Sequence, residues 1–199
     1  MIIAFNKPYG ILSQFSQKEP EHRTLSEFGF PKGVYPIGRL DKDSEGLLLL
    51  SDEKKWNNIL LNPKNAHERT YHVQVEGIAV KDSVAKLEKG IILKGIKTKS
   101  CRAKLIENPG YPERVPPIRF RLKIPTSWIE LILTEGKNRQ VRHMTSAVGL
   151  PALRLIRVAI GSFKLAGIPE GKWRELSNDD KKLLTLRDKP HKNLYYQHL

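Results

Sequence analysis

Cysteine is nearly absent, with Cys101 the one thiol in 199 residues. That excludes an internal disulfide framework and any zinc site built on clustered cysteines. Long apolar runs are also missing. None approaches the ~18 residues of a membrane-spanning helix, and Met1-Ile2-Ile3-Ala4-Phe5 lacks the length and basic lead of a secretory signal. A soluble, cytoplasmic protein without a membrane partner is the expectation. Acidic residues are scarce, 21 against 35 Lys+Arg, which leaves a formal net charge of +14. Disorder is excluded, because 39% of residues are hydrophobic and recur in blocks. A chain this long can bury roughly 70% of its unfolded surface and so close a sizeable core.

Several motifs are missing as well. No two glycines stand at i and i+2, so there is no dinucleotide fingerprint. Neither Gly136-Lys137 nor Gly171-Lys172 is followed by Ser or Thr, which removes a P-loop. The six histidines include no i, i+4 pair, and the nucleophile-elbow glycines of serine hydrolases are lacking. The run from Asp41 to Asp52 has part of a calcium-loop spacing, but it lacks the flanking helices and the terminal Glu of that motif. No metal or cofactor is expected.

What is present is positive charge, unevenly spread. Residues 97–157 hold 13 basic and 4 acidic side chains, so +9 of the +14 sits in 61 residues. Concentrated charge of this size points to a polyanion, nucleic acid before membrane surface.

Apolar periodicity predicts strands over residues 2–5, 46–50, 71–76, 97–106, 118–124, 128–133 and 153–160. Helices are predicted over 80–89 and 136–148, over a segment ending at Leu61 behind a Ser51 or Asp52 cap, and over 179–186 behind Ser177. Residues 191–199 read as a tail. Strands outnumber interspersed helices, which gives an α+β class around a mostly antiparallel or mixed sheet, as one domain or two closely packed subdomains.

One segment is out of character. Between Gly38 and Gly46, three carboxylates (Asp41, Asp43, Glu45) interrupt a basic chain just before the apolar run Leu47-Leu48-Leu49-Leu50. A solvated turn capping a strand accounts for them blandly. The alternative is a carboxylate set at the edge of a rigid sheet, facing a basic site as nucleophile or acid/base.

The whole segment, Gly38-Arg39-Leu40-Asp41-Lys42-Asp43-Ser44-Glu45-Gly46-Leu47-Leu48-Leu49-Leu50-Ser51, resembles the catalytic motif of RNA pseudouridine synthases, within them the RsuA/RluE family. Three further blocks are similar, in the same order: Asn6-Lys7-Pro8-Tyr9-Gly10, Arg69-Thr70-Tyr71, and Glu135-Gly136-Lys137-Asn138-Arg139-Gln140-Val141-Arg142-His143-Met144 with the strand after it. Lys is more usual at Arg69 and Arg at His143. The resemblance spans residues 1 to about 176 and begins at the catalytic core, without a preceding accessory RNA-binding domain. Pro116-Pro117-Ile118-Arg119 and Ile124-Pro125-Thr126-Ser127-Trp128 strengthen the likeness to the members acting on the large ribosomal subunit.

The resemblance implies a pseudouridine-synthase fold over residues 1–186 in two subdomains, a tail at 187–199, and isomerisation of a uridine in ribosomal RNA, 23S rRNA first. It implies no cofactor and leaves a monomer as the default. Asp41 would be the nucleophile, attacking C1′ or C6. Arg142 would be its ion-pair partner, with a phosphate contact as the other reading. Tyr71 would stack on the base and assist proton removal from C5, unless it merely packs in the core. A uridine in folded RNA must be extruded to be reached. Arg39 is placed by sequence to brace the vacated stack or to touch phosphate. Lys7, Lys137, Arg139, Arg154 and Arg157 are assigned to phosphate positioning, although the odd spacing of the last two puts them on opposite faces of one strand. A non-catalytic rRNA-binding or ribosome-assembly module on the same fold is the rival reading.

Overall fold

The computed structural model describes residues 1–118 and 124–186. Most of the strand expected over 118–124 lies outside those residues, together with Arg119 and the tail.

The chain runs β1 (Ile2–Lys7), β2 (Tyr35–Pro36), β3 (Glu45–Ser51), α1 (Lys55–Leu61), β4 (Arg69–Glu76), α2 (Lys81–Glu88), β5 (Ile92–Leu93), β6 (Ile96–Lys97), β7 (Arg102–Ile106), β8 (Thr126–Leu133), α3 (Gln140–Ala147), β9 (Ala152–Ile160), β10 (Phe163–Lys164), β11 (Trp173–Glu175) and α4 (Asn178–Thr185). Among the described residues, one nine-stranded sheet runs in the order β11-β1-β3-β9-β4-β8-β7, with β2 and β10 attached to β3 and β9. Every pairing is antiparallel except β3 with β9. The architecture is α+β, with a mixed, mostly antiparallel sheet.

The unbroken leucine run of β3 has a simple cause. A strand buried on both faces has no polar side to alternate with. Leu47 and Leu49 face Trp56 and Leu60 of α1, whereas Leu48 and Leu50 face Ile3, Phe5, Ile11 and Leu25 on the other side. All four leucines are fully buried, each worth roughly 1.5–3 kcal/mol of transfer free energy before entropy. A third cluster joins β4 and β8 to α3 through Val73, Val75, Leu131 and Met144. The acidic loop therefore does not sit at a sheet edge. It feeds a central strand at the point where the two halves of the sheet meet.

Two local expectations change. α1 begins only at Lys55, without a side-chain cap, because Ser51 stays in β3, where its Oγ donates to the Met1 carbonyl. The strand expected over 97–106 splits. Thr98 closes the β5–β6 hairpin through its backbone N and side-chain Oγ1, and β7 restarts at Arg102. Ser177, in contrast, caps α4 in a full capping box with Asp180. No described helix is long and apolar enough to cross a membrane.

Candidate active site

The loop at residues 38–44 is held from below by the first block of the chain. Ser13 Oγ donates to the Leu40 carbonyl at 2.7 Å and accepts from Leu40 N at 3.1 Å, while Gly10 N donates to Lys42 O at 2.8 Å. Leu40 is buried in the core, and Ser44 N donates back to Asp41 O to close a turn. At the loop's exit, Gly46 has φ +97°, and a Cβ there would lie 2.4 Å from the Arg157 carbonyl of β9. Only glycine permits β3 and β9 to approach this closely at that angle.

The turn leaves the Asp41 carboxylate about one-third exposed in a cleft of roughly 870 Å³. Tyr71, Arg39, Lys137, Arg139 and Arg157 line the same cleft. Tyr71 is on β4 opposite Arg157, and a register shift between Thr70 and Tyr71 re-aims it, as bulges do beside functional sites. Arg69, one turn of the backbone pleat away, donates to the Leu60 and His67 carbonyls. Arg39 and Lys137 stand exposed at the mouth, where Arg39 reaches Gln14 Oε1 at 3.3 Å and Lys137 lies 3.6 Å from Glu135.

The arginines of the last motif do not pair as expected. Arg142 is not bonded to Asp41. It donates through Nη2 to the Asp43 carbonyl at 2.6 Å and through Nη1 to the Ala152 carbonyl at 3.1 Å. Its Nε lies 3.3 Å from Asp43 Oδ2, a charge contact without aligned hydrogen-bond geometry. Arg139 forms a two-pronged pair with Asp43 at 2.9 and 2.7 Å and comes within 3.8 Å of Asp41. The reason is the turn. It points Asp43, with both carbonyl and carboxylate, at α3 and leaves Asp41 facing the cleft. Burial pushes the Asp43 carboxyl up, but Arg139 and Arg142 outweigh it and hold the carboxyl below its ordinary value. Arg139 itself, just ahead of α3, takes a left-handed φ of +48°, a strained choice for an arginine.

Two assigned phosphate contacts are corrected outright. Arg154 is buried, with Nε and Nη2 on Glu45 at 2.7–3.1 Å and Nη1 on Pro112 O at 2.8 Å. Its guanidinium is spent inside the protein, on the sheet face opposite the cleft. Lys7 is fully buried as well, its Nζ donating to Pro8 O at 2.9 Å and Ile11 O at 2.8 Å. Neither lines the cleft that holds Asp41, and the donors of both are taken up by protein acceptors. The opposite-face expectation for Arg154 and Arg157 does agree with the structure, since Arg157 lines the cleft and Arg154 the rear hollow beside Glu45 and His72.

Burial lowers the Lys7 amine from 10.5 to about 7, against the pull of Glu45, Asp43 and Asp41. A neutral amine has two N–H groups, which match the two carbonyls it meets. Unfolded chains keep this lysine protonated up to about 10.5, so between about pH 7 and 10.5 the unfolded state binds more protons. Its contribution to stability therefore rises with pH across that window. The difference in unfolding free energy between wild type and Lys7→Met is expected to shift in favour of wild type from pH 6 to pH 9. Denaturant titration at the two pH values checks this, and a constant difference contradicts it.

Asp43 and Glu45 were visible in the sequence only as members of an acidic cluster. Their signal is the clustering itself: three carboxylates within five residues of a basic chain repel one another unless each meets a cation, as Asp43 and Glu45 do at Arg139 and Arg154.

A family model described as RNA pseudouridylate synthase matches residues 1–147. The chain is 48% identical over 176 residues to a Xanthomonas campestris protein named ribosomal large subunit pseudouridine synthase E, covering 87% of this chain and 94% of that one. It is 37% identical to ribosomal large subunit pseudouridine synthase B of Bacillus subtilis, covering 92% and 70% of the two chains. A solved structure described as a pseudouridylate synthase superposes with a TM-score of 0.74 at 26% identity, over 92% of this chain and 73% of that one.

Proposed function

The chain belongs to the RNA pseudouridylate synthase family, and from that premise we propose that it isomerises one uridine of 23S ribosomal RNA, with Asp41 as the nucleophile. The observation that carries this reading is the placement of Asp41. Its carboxylate is accessible in a cleft whose other charged lining residues are all Lys or Arg except Glu135, and Tyr71 stands on the same walls.

The reaction breaks the N1–C1′ bond, turns the uracil and rejoins it through C5. No atom is gained or lost, so a carboxylate that attacks and later leaves is sufficient. Tyr71 stacks on the extruded base and takes part in removing the C5 proton. Arg142 serves through Asp43, fixing the loop that carries the nucleophile rather than touching it. Arg139, exposed and near both aspartates, is the outward-facing cation of the group. Together with Arg39 and Lys137 it meets phosphate at the cleft mouth, where most interface arginines and lysines make their contacts.

Tyr71→Phe keeps the ring and removes the hydroxyl. Turnover is expected to fall about 10²–10⁴-fold, the usual range for losing a proton-transfer group, with RNA affinity within about twofold of wild type. Single-turnover rates beside filter-binding affinities check this; a wild-type rate would leave Tyr71 a stacking role only. The substrate is tested by mapping pseudouridines in ribosomal and transfer RNA from cells lacking the protein. One large-subunit rRNA position reverting to uridine supports the proposal. A change confined to transfer RNA, or none at all, contradicts it.

A further inference from the structure

We propose that Arg157 is a further catalytic residue, whose unpaired guanidinium nitrogen donates to a carbonyl oxygen of the extruded uracil and holds the charge released when the glycosidic bond breaks. This rests on the pseudouridine-forming reading above.

Arg157 is 5% exposed and lines the cleft that holds Asp41 and Tyr71. Its Nε donates to the Leu47 carbonyl at 2.7 Å, which pins the guanidinium plane to β3. Its Nη2 is buried and has no acceptor among the described residues. Arg154, three residues earlier, satisfies all three of its nitrogens within the protein. A charged donor left over at such depth is costly unless something meets it. Ser44 Oγ, also on the cleft wall, is likewise buried without a partner.

Electrostatics agree with the geometry. Arg157 lowers the proton affinity of Arg69, a half-buried guanidinium that lines the same cleft. Two guanidinium groups, Arg157 and Arg69, therefore line the cleft beside Tyr71, and they suit negative charge there. A phosphate would meet the exposed Arg39, Lys137 and Arg139 at the rim first. What reaches the floor is the base.

The chemistry needs such a donor. With attack at C1′, N1–C1′ cleavage leaves the bonding pair on the uracil, spread over N1, O2 and O4; with attack at C6, addition places one pair on C5 and O4, and cleavage leaves another on N1 and O2. A pair returns to carbon as the C5–C1′ bond forms; C5 then loses its proton and N1 gains one. A fixed donor aimed at the developing oxyanion stabilises that interval without reorganisation.

The test measures tritium release from C5 in single turnover, using 23S rRNA transcripts that carry uridine, 2-thiouridine or 4-thiouridine. Sulfur accepts hydrogen bonds poorly. Wild type is expected to slow by about 10²–10³-fold on one of the two thio transcripts, the usual cost of losing one such donor. Arg157→Lys keeps a cation but cannot hold Leu47 and the base together. It should be slowed similarly on the uridine transcript, with little further loss on the sensitive thio transcript.

Equal wild-type rates on all three transcripts overturn the proposal, whether or not the variant folds. A folded variant in which the two losses simply multiply also overturns it. So does a defect confined to salt-dependent RNA affinity, which would make Arg157 a phosphate contact. No release from the uridine transcript by wild type, with RNA bound, would overturn the parent reading and this one with it.

Discussion

Asp41→Asn is expected to lose at least about 10⁴-fold in pseudouridine formation, the scale seen when a nucleophile is removed from a site that keeps its binding groups. RNA affinity should stay within a few-fold of wild type, or tighten, because the change removes a negative charge from a cationic cleft. The fold has little reason to suffer. Among the described residues Asp41 accepts no side-chain hydrogen bond that would be lost, and the backbone of its loop is held by Ser13 Oγ at Leu40, Gly10 N at Lys42 and Ser44 N at Asp41. An activity loss accompanied by a lower melting temperature would move Asp41 from chemistry to structure. At least 10⁴-fold corresponds to roughly 5 kcal/mol or more of transition-state stabilisation, too much for a surface turn residue.

Arg154→Met should behave in the opposite way. It strands Glu45 in the interior without its partner, and breaking a buried pair by removing one side costs about 3–5 kcal/mol. For a protein of this size that is a fall in melting temperature of roughly 6–20 °C. The slope of RNA affinity against salt should not change, whereas a true phosphate contact would reduce it by about one. Glu45→Leu combined with Arg154→Met should recover most of the lost stability, since apolar replacement of a whole buried pair is often neutral or better. Thermal unfolding and a salt titration of binding separate the two readings. A reduced salt slope with unchanged stability would restore Arg154 to the RNA surface.

The contrast between these two arginine-and-aspartate predictions shows where sequence reading succeeds. Leu47 to Leu50 announced a strand, and Ser177 announced a cap, because each signal is local and the structure uses it locally. The acidic loop that places Asp41 in the cleft was legible because three carboxylates in a chain of +14 are conspicuous and because their flanking residues resemble a known motif. The interior roles of Lys7 and Arg154 were not legible. Lysine and arginine are usually exposed; the partner of Arg154, Glu45, lies 109 residues away, and Lys7 is covered where β1 pairs with Gly46 of β3, although its own acceptors, Pro8 and Ile11, are local. The same limit applies to Arg142. Its motif marks it as a partner of the acidic loop, but which of two aspartates faces α3 depends on the turn at residues 41–44.

The concentration of charge between Lys97 and Arg157 needs a similar division. Arg154, Arg157 and Arg142 are inward and Arg102 is paired with Glu68, whereas Lys99, Lys137 and Arg139 remain at the surface. Part of the excess therefore builds the floor and walls of the cleft, and part faces outward for RNA.

Tritium release from C5-labelled uridine in 23S rRNA, followed in a single turnover with wild type and Asp41→Asn side by side, tests the central claim most directly. Wild type should release one tritium per RNA bound, and Asp41→Asn should bind the same RNA and release none on that timescale. Release by the variant at the wild-type rate, or binding by wild type without any release, would contradict it.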